Sequence, residues 1–138
     1  MTTNTSFCST RLITDDVPTL VRFYEAVTGA TATWGNEDFA ELRTEQATLA
    51  IGSTRTVSIF GAGSAEPGHN RSAILEFLVA DVDAERIRLD GVLEAIVTEP
   101  TTMPWGNRAL LFRDPDGNLV NLFTPVTPEA REKFGVTT

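Results

Sequence analysis

FRDPDGNLVNLFTP, residues 112–125, places a tight turn between two apolar strands. Pro115 presets the backbone for the start of a turn, while Gly117 and Asn118 tolerate the positive φ that closes one. Residues 107–113 and 118–124 are therefore expected to pair as a hairpin. Upstream, residues 93–98 give another strand. Asp81-Val82 opens a helix that carries Val82, Ile87 and Leu89 and stops at Gly91, and SAILEFLV at 72–79 forms a strand before it.

The same order is written once before. Residues 6–14 (SFCSTRLIT) read as a strand ending at Asp15-Asp16, and 16–28 as a helix with Val17, Leu20, Val21, Phe23, Tyr24 and Val27 at the 3.6 period, Pro18 in its first turn and Gly29 as its stop. Three strand-like pieces follow: ATATW (30–34), DFAEL with its continuation towards Ile51, and TVSIF (56–60). A loop rich in Gly and Pro then separates the halves. Superposing Asp16-Val17 on Asp81-Val82 gives an offset of about 65 residues, in pattern more than in letters. The expected fold is α+β: two βαβββ modules, at 5–62 and 70–126, with a C-terminal tail at 127–138, all in one domain. One helix per module covers one face of a curved mixed sheet and leaves a concave cleft opposite the helices, where a ligand can sit.

Composition narrows the function classes. The chain has 138 residues, with 19 Asp and Glu against 11 Lys and Arg, a formal charge of −8. That charge opposes nonspecific nucleic-acid binding and tilts towards a neutral or cationic small partner. No apolar run approaches the roughly 20 residues of a membrane span, and the N-terminus has no secretory pattern, so a cytoplasmic location is expected. Cys8 is the single cysteine and His69 the single histidine, which excludes an internal disulfide and Cys/His zinc sites.

FRDPDGNLVNLFTP, taken with DVPTLVRFYEAVTG in the first half and FLVADVDA in the second, resembles the vicinal oxygen chelate superfamily of glyoxalases, extradiol dioxygenases, fosfomycin-resistance transferases and bleomycin-resistance proteins. The resemblance covers nearly the whole chain. It implies that enzymatic members would hold a divalent metal through His or Glu at four positions, which by counting fall here on Ser9, Ser58, Ile74 and Asn121. None is a good metal ligand. The resemblance is therefore closest to metal-free members that bind a drug and keep it from its target. It also implies a homodimer. No cofactor, metal or catalytic residue is assigned. The alternative is a lyase or dioxygenase of the same superfamily, using carboxylates such as Glu76, Glu41 or Asp38 for a metal, or Glu76 as a base with Arg11 or Arg108 holding an anion.

Alternation along the first strand puts Phe7, Ser9, Arg11 and Ile13 on the cleft side and Cys8, Thr10 and Leu12 under the helix, Cys8 as a small buried apolar group. In the second half Ile74, Glu76 and Leu78 face the cleft. Arg11 and Glu76 occupy equivalent places, either as part of an internal polar network or as groups awaiting a polar ligand. Trp34 and Trp105, each followed by glycine, are candidates to close a cleft or stack on a planar ligand, or else core or interface residues. MPWGNR (103–108) resembles a cavity-bordering element of metal-free members, which adds Arg108 to the candidates, and Phe39 and Phe123 are candidate apolar walls. His69 is read as a solvated loop residue.

Overall fold

The computed structural model describes residues 4–137. They fall into two compact units, one ending at His69 and the other beginning at Asn70. Each unit carries its own four-stranded mixed sheet, where the sequence reading pictured one sheet shared by both. Among the described residues no helix is long and apolar enough to cross a membrane.

In the first unit β1 (Ser9–Thr14) leads to α1 (Val17–Thr28), then β2 (Thr33–Asn36), β3 (Phe39–Arg43) and β4 (Thr48–Ser53), in the sheet order β1-β4-β3-β2. β1 and β4 run parallel and the others antiparallel. Asp16 caps α1: its carboxylate accepts from the Thr19 amide at 3.1 Å and the Thr19 hydroxyl at 2.7 Å. At the other end the Gly29 amide donates to the Glu25 carbonyl at 2.9 Å. Val17, Leu20, Val21, Tyr24 and Val27 are buried on the inner face of the helix, against a sheet face made by Leu12, Ala40, Leu42, Leu49 and Ile51.

The stretch towards Ile51 is two strands, not one, because the Thr44 amide and hydroxyl both bond the Ala47 carbonyl and turn the chain. The last strand is thus Thr48–Ser53, and the expected strand at 56–60 does not exist. Its first residues belong to α2 (Thr54–Ser58), capped by Ser53, whose hydroxyl accepts from the Arg55 amide at 3.2 Å. Asp38 anchors that turn by accepting from Ser53 Oγ at 2.8 Å and Arg55 Nε at 3.0 Å. Cys8 is exposed rather than buried, because the strand starts after it at Ser9 and no helix covers that position.

The second unit repeats the plan with β5 (Ile74–Leu78), α3 (Val82–Arg88), β6 (Ala95–Thr102), β7 (Asn107–Arg113) and β8 (Leu119–Pro125), in the order β5-β8-β7-β6. Asp81 caps α3 through the Ala84 amide at 3.1 Å. Val82 and Leu89 are buried, seven residues and nearly two turns apart on one face. Ile87, expected on that face, lies about 140° round the helix from Val82 and is 77% exposed. The tail holds α4 (Pro128–Lys133), capped by Thr127. Thus each last strand is followed closely by a short helix.

The cap at Asp16 carries a pH signature. The Thr19 hydroxyl and amide, with a smaller contribution from Arg22, hold its carboxyl below the ordinary carboxylate range. Stability from a group with a lowered folded pKa is complete above its unfolded value of about 3.9 and disappears as pH falls through the folded value. Asp16→Asn keeps a good cap but removes the titration. Melting curves from pH 5 down to pH 2 should therefore coincide for the two proteins at the upper end and fall less steeply for the variant below about pH 4. Parallel curves throughout would reject this contribution.

Candidate functional site

On the first sheet, the face away from α1 is built by the odd positions of β1. Register places Arg11 beside Ala50 and then Glu41, and Ile13 beside Gly52 and then Phe39. The small side of β4 leaves room between the flanking strands, and Arg11 reaches across it. Its guanidinium carbon lies 4.9 Å from the Phe39 ring centroid and 5.4 Å from that of Phe60. Phe60 arrives there because α2 folds back over Gly52 rather than continuing as a strand. Among the described residues Arg11 has no ion-pair partner, whereas Glu41 meets Arg43 at 3.4 Å. The result is an exposed cation held between two aromatic rings, with its N–H edges open to solvent. Ser9 stands exposed at the start of the same face, opposite Thr48.

The corresponding face of the second sheet carries Ile74, Glu76 and Leu78 on β5 beside Leu119, Asn121 and Phe123 on β8. Asn121 Nδ2 donates to Glu76 Oε2 at 2.9 Å. Asn121 Oδ1 is buried without a hydrogen-bond partner. Phe123 is buried, its ring 5.0 Å from that of Phe134 at the end of α4. It packs beneath that helix instead of forming an open wall.

Three candidates lie elsewhere. Arg108 alternates with Asn107 and Ala109 onto the helix side of β7, where Nε and Nη2 donate to the two carboxylate oxygens of Asp83 on α3 at 2.8 and 3.1 Å. These bonds draw the Asp83 carboxyl down and raise Arg108. Trp34 pairs with Ala40 on the helix side of the first sheet. Trp105 is exposed in the β6–β7 turn. The structure therefore brings together Arg11 with Phe39 in one unit, and Ile74, Glu76 and Asn121 in the other. Phe60 was not among the sequence candidates, although the alternation that turns Ser58 towards a ligand would turn Phe60 the same way.

A family model described as the glyoxalase/bleomycin resistance protein/dioxygenase superfamily matches residues 7–122. The chain belongs to this superfamily. Solved structures share its fold. A glyoxalase/bleomycin resistance protein/dioxygenase from Nocardioides is 21% identical with a TM-score of 0.73, over 93% of this chain and 88% of that one. A family enzyme from Burkholderia phytofirmans PsJN is 15% identical with a TM-score of 0.76, over 86% and 97%. A glyoxalase-related enzyme from Fulvimarina pelagi is 18% identical with a TM-score of 0.72, over 86% and 87%. No protein with a curated description matches the chain.

Register revises one of the superfamily's four ligand positions. Asn121 pairs with Glu76, and the equivalent of Glu76 in the first unit, Arg11, pairs with Ala50. Ala50 therefore replaces Ser58, which sits exposed in α2. The donor set becomes Ser9, Ala50, Ile74 and Asn121, with no imidazole or carboxylate, and it does not fit a divalent metal. Among the described residues there is no group of three or more His, Cys, Asp or Glu side chains that could hold one.

Proposed function

We propose that this superfamily member binds a small planar molecule on its open sheet faces without a metal, in the manner of a sequestering protein rather than a lyase or dioxygenase. The observation that carries the reading is Arg11 held between Phe39 and Phe60 on an exposed sheet face. A guanidinium already flanked by rings offers flat apolar and polarisable surface at little cost in ordering, which suits an aromatic ligand. The donor set at Ser9, Ala50, Ile74 and Asn121 supports binding over metal chemistry, and sequestration requires affinity alone.

Thermal shift with a panel of planar aromatic compounds tests it. A compound that binds should raise the melting temperature with dose, stabilising by about 2.7 kcal/mol at a hundredfold excess over its Kd. Phe60→Ala removes an exposed ring and should weaken that compound up to about tenfold, the worth of one aromatic contact. Stoichiometric Ni²⁺, Mn²⁺ or Zn²⁺ should leave the melting temperature unchanged. A clear stabilisation by any of them would overturn the metal-free reading.

A further inference from the structure

We propose that Glu76 and Asn121 form a receptor for a planar cationic N–H donor, an amidinium or guanidinium group on the bound molecule. The inference rests on the small-molecule reading above and specifies the chemistry of a second contact.

The two residues sit directly opposite each other on the parallel strands β5 and β8. Their mutual bond settles the orientation of the amide. With Nδ2 donating to Glu76 Oε2, the Asn121 carbonyl oxygen points elsewhere; the reverse orientation would set two acceptors against each other. Oδ1 is then a buried acceptor with no donor, a group whose desolvation goes uncompensated unless something donates to it. Glu76 contributes its remaining carboxylate lone pairs, and among the described residues no Lys or Arg pairs with it. The pair thus presents an exposed anionic acceptor on β5 beside an enclosed one on β8, and one of the two Asn121 N–H donors is spent internally. A fork of N–H donors bearing positive charge complements that arrangement, and a carboxylate ligand would be repelled by it.

The neighbours specify the body of the ligand. Ile74 and Leu78 flank Glu76 at the adjacent positions on the same face of β5 and are 48% and 43% exposed. A carboxylate between two open aliphatic side chains is a poor place for a hydrated metal ion. It suits a flat cation with apolar faces. The net charge of −8 acts in the same direction by favouring the approach of cations.

The test uses the full chain with three isosteric probes, benzamidine, benzamide and benzoate, followed by ¹⁵N–¹H correlation spectra that include the Asn121 side-chain amide. Read at the Asn121 Nδ2 signals, benzamidine should bind at least tenfold more tightly than benzamide, and benzoate, which can occupy the open Arg11 guanidinium instead, should shift them least. In Glu76→Gln, which preserves an acceptor for Asn121, the preference for benzamidine over benzamide should disappear. Asn121→Ser, which removes the orphaned acceptor, should weaken benzamidine severalfold. Equal binding of benzamidine and benzamide would reject the cation receptor while leaving small-molecule binding intact. A benzamidine preference that survives Glu76→Gln would also reject it. Absence of binding by all three would reject the cation receptor, and the panel of planar compounds would decide the small-molecule reading separately.

Discussion

Asp114→Ala lowers the melting temperature by about 10 °C, an expected loss of about 3–5 kcal/mol. Asp114 is 4% exposed, and its carboxylate closes the turn around which the second unit is built. Oδ1 accepts from the amides of Asp116 and Asn118, both at 2.9 Å, and Oδ2 accepts from Asn118 Nδ2 at 2.7 Å. Both bonds to Asn118 are buried, and removing the carboxylate leaves their donors without partners at about 1–3 kcal/mol each. The damage extends beyond the turn. Asn118 Oδ1 accepts from Asn70 Nδ2 at 3.1 Å, and Asn70 Oδ1 in turn accepts from the amides of Ser72 and Ala73 ahead of β5. One carboxylate therefore holds the β7–β8 hairpin and, through Asn118, the entry to β5. Asp114→Asn retains an acceptor but turns an amide donor towards Asn118, so its loss should be intermediate. Thermal denaturation of the three proteins decides the matter, and a loss below about 1 kcal/mol for the alanine variant would show that the network is dispensable.

That turn, and most of the fold, is legible in the sequence because its signals are local. Asp16 and Asp81 before apolar residues at the helical period, glycines at the stops, and the proline–glycine turn at 115–117 each act within a few residues. The elements that were not legible depend on distant partners. α2 exists because Asp38, fifteen residues away, bonds Ser53 and Arg55, while its residues alternate like a strand. Only Val57 of α2 is buried, so the apolar Ile59 and Phe60 carry no information about a sheet. The error at Ser58 follows from that, since the true last strand, TLAIGS, is buried on both faces and shows no alternation. The side of the sheet taken by Arg108 was hidden in the same way, because Ala109, Leu110 and Phe112 are all buried, across both faces of β7. In contrast, Arg11 and Glu76 are charges within half-buried strands, where the period of two assigns a face directly. The Glu76–Asn121 pair was therefore within reach of counting, while the fold-back of α2 that brings Phe60 to Arg11 was not.

Gly106→Ala has the other large expected effect, and its cause can be separated from ordinary glycine strain. Gly106 has φ +96°. A methyl group there would overlap Oγ1 of Thr127, the residue that caps α4, and would lie 3.1 Å from the Cβ of Ala130. Gly117, at φ +87°, has nothing within 4 Å of the same methyl group. Gly117→Ala therefore reports the backbone cost alone, about 1–2 kcal/mol. Gly106→Ala adds overpacking of about 1–3 kcal/mol, for a total near 4 kcal/mol and a fall in melting temperature of about 10 °C. The backbone cannot easily move aside, since the Gly106 carbonyl accepts from the Val126 amide at 2.8 Å and its amide donates to Met103 at 3.0 Å. α4 is the part that can give. Its displacement would uncover Phe123, so amide exchange should quicken through residues 128–133 before it quickens in β7 and β8. Thr127→Ala removes the overlapping hydroxyl at the expense of the cap. On that background the added cost of Gly106→Ala should fall towards that of Gly117→Ala, a coupling of at least 1 kcal/mol by double-mutant cycle. Additive losses would place the cost in the backbone and would reject the packing of α4 against Gly106 as its source.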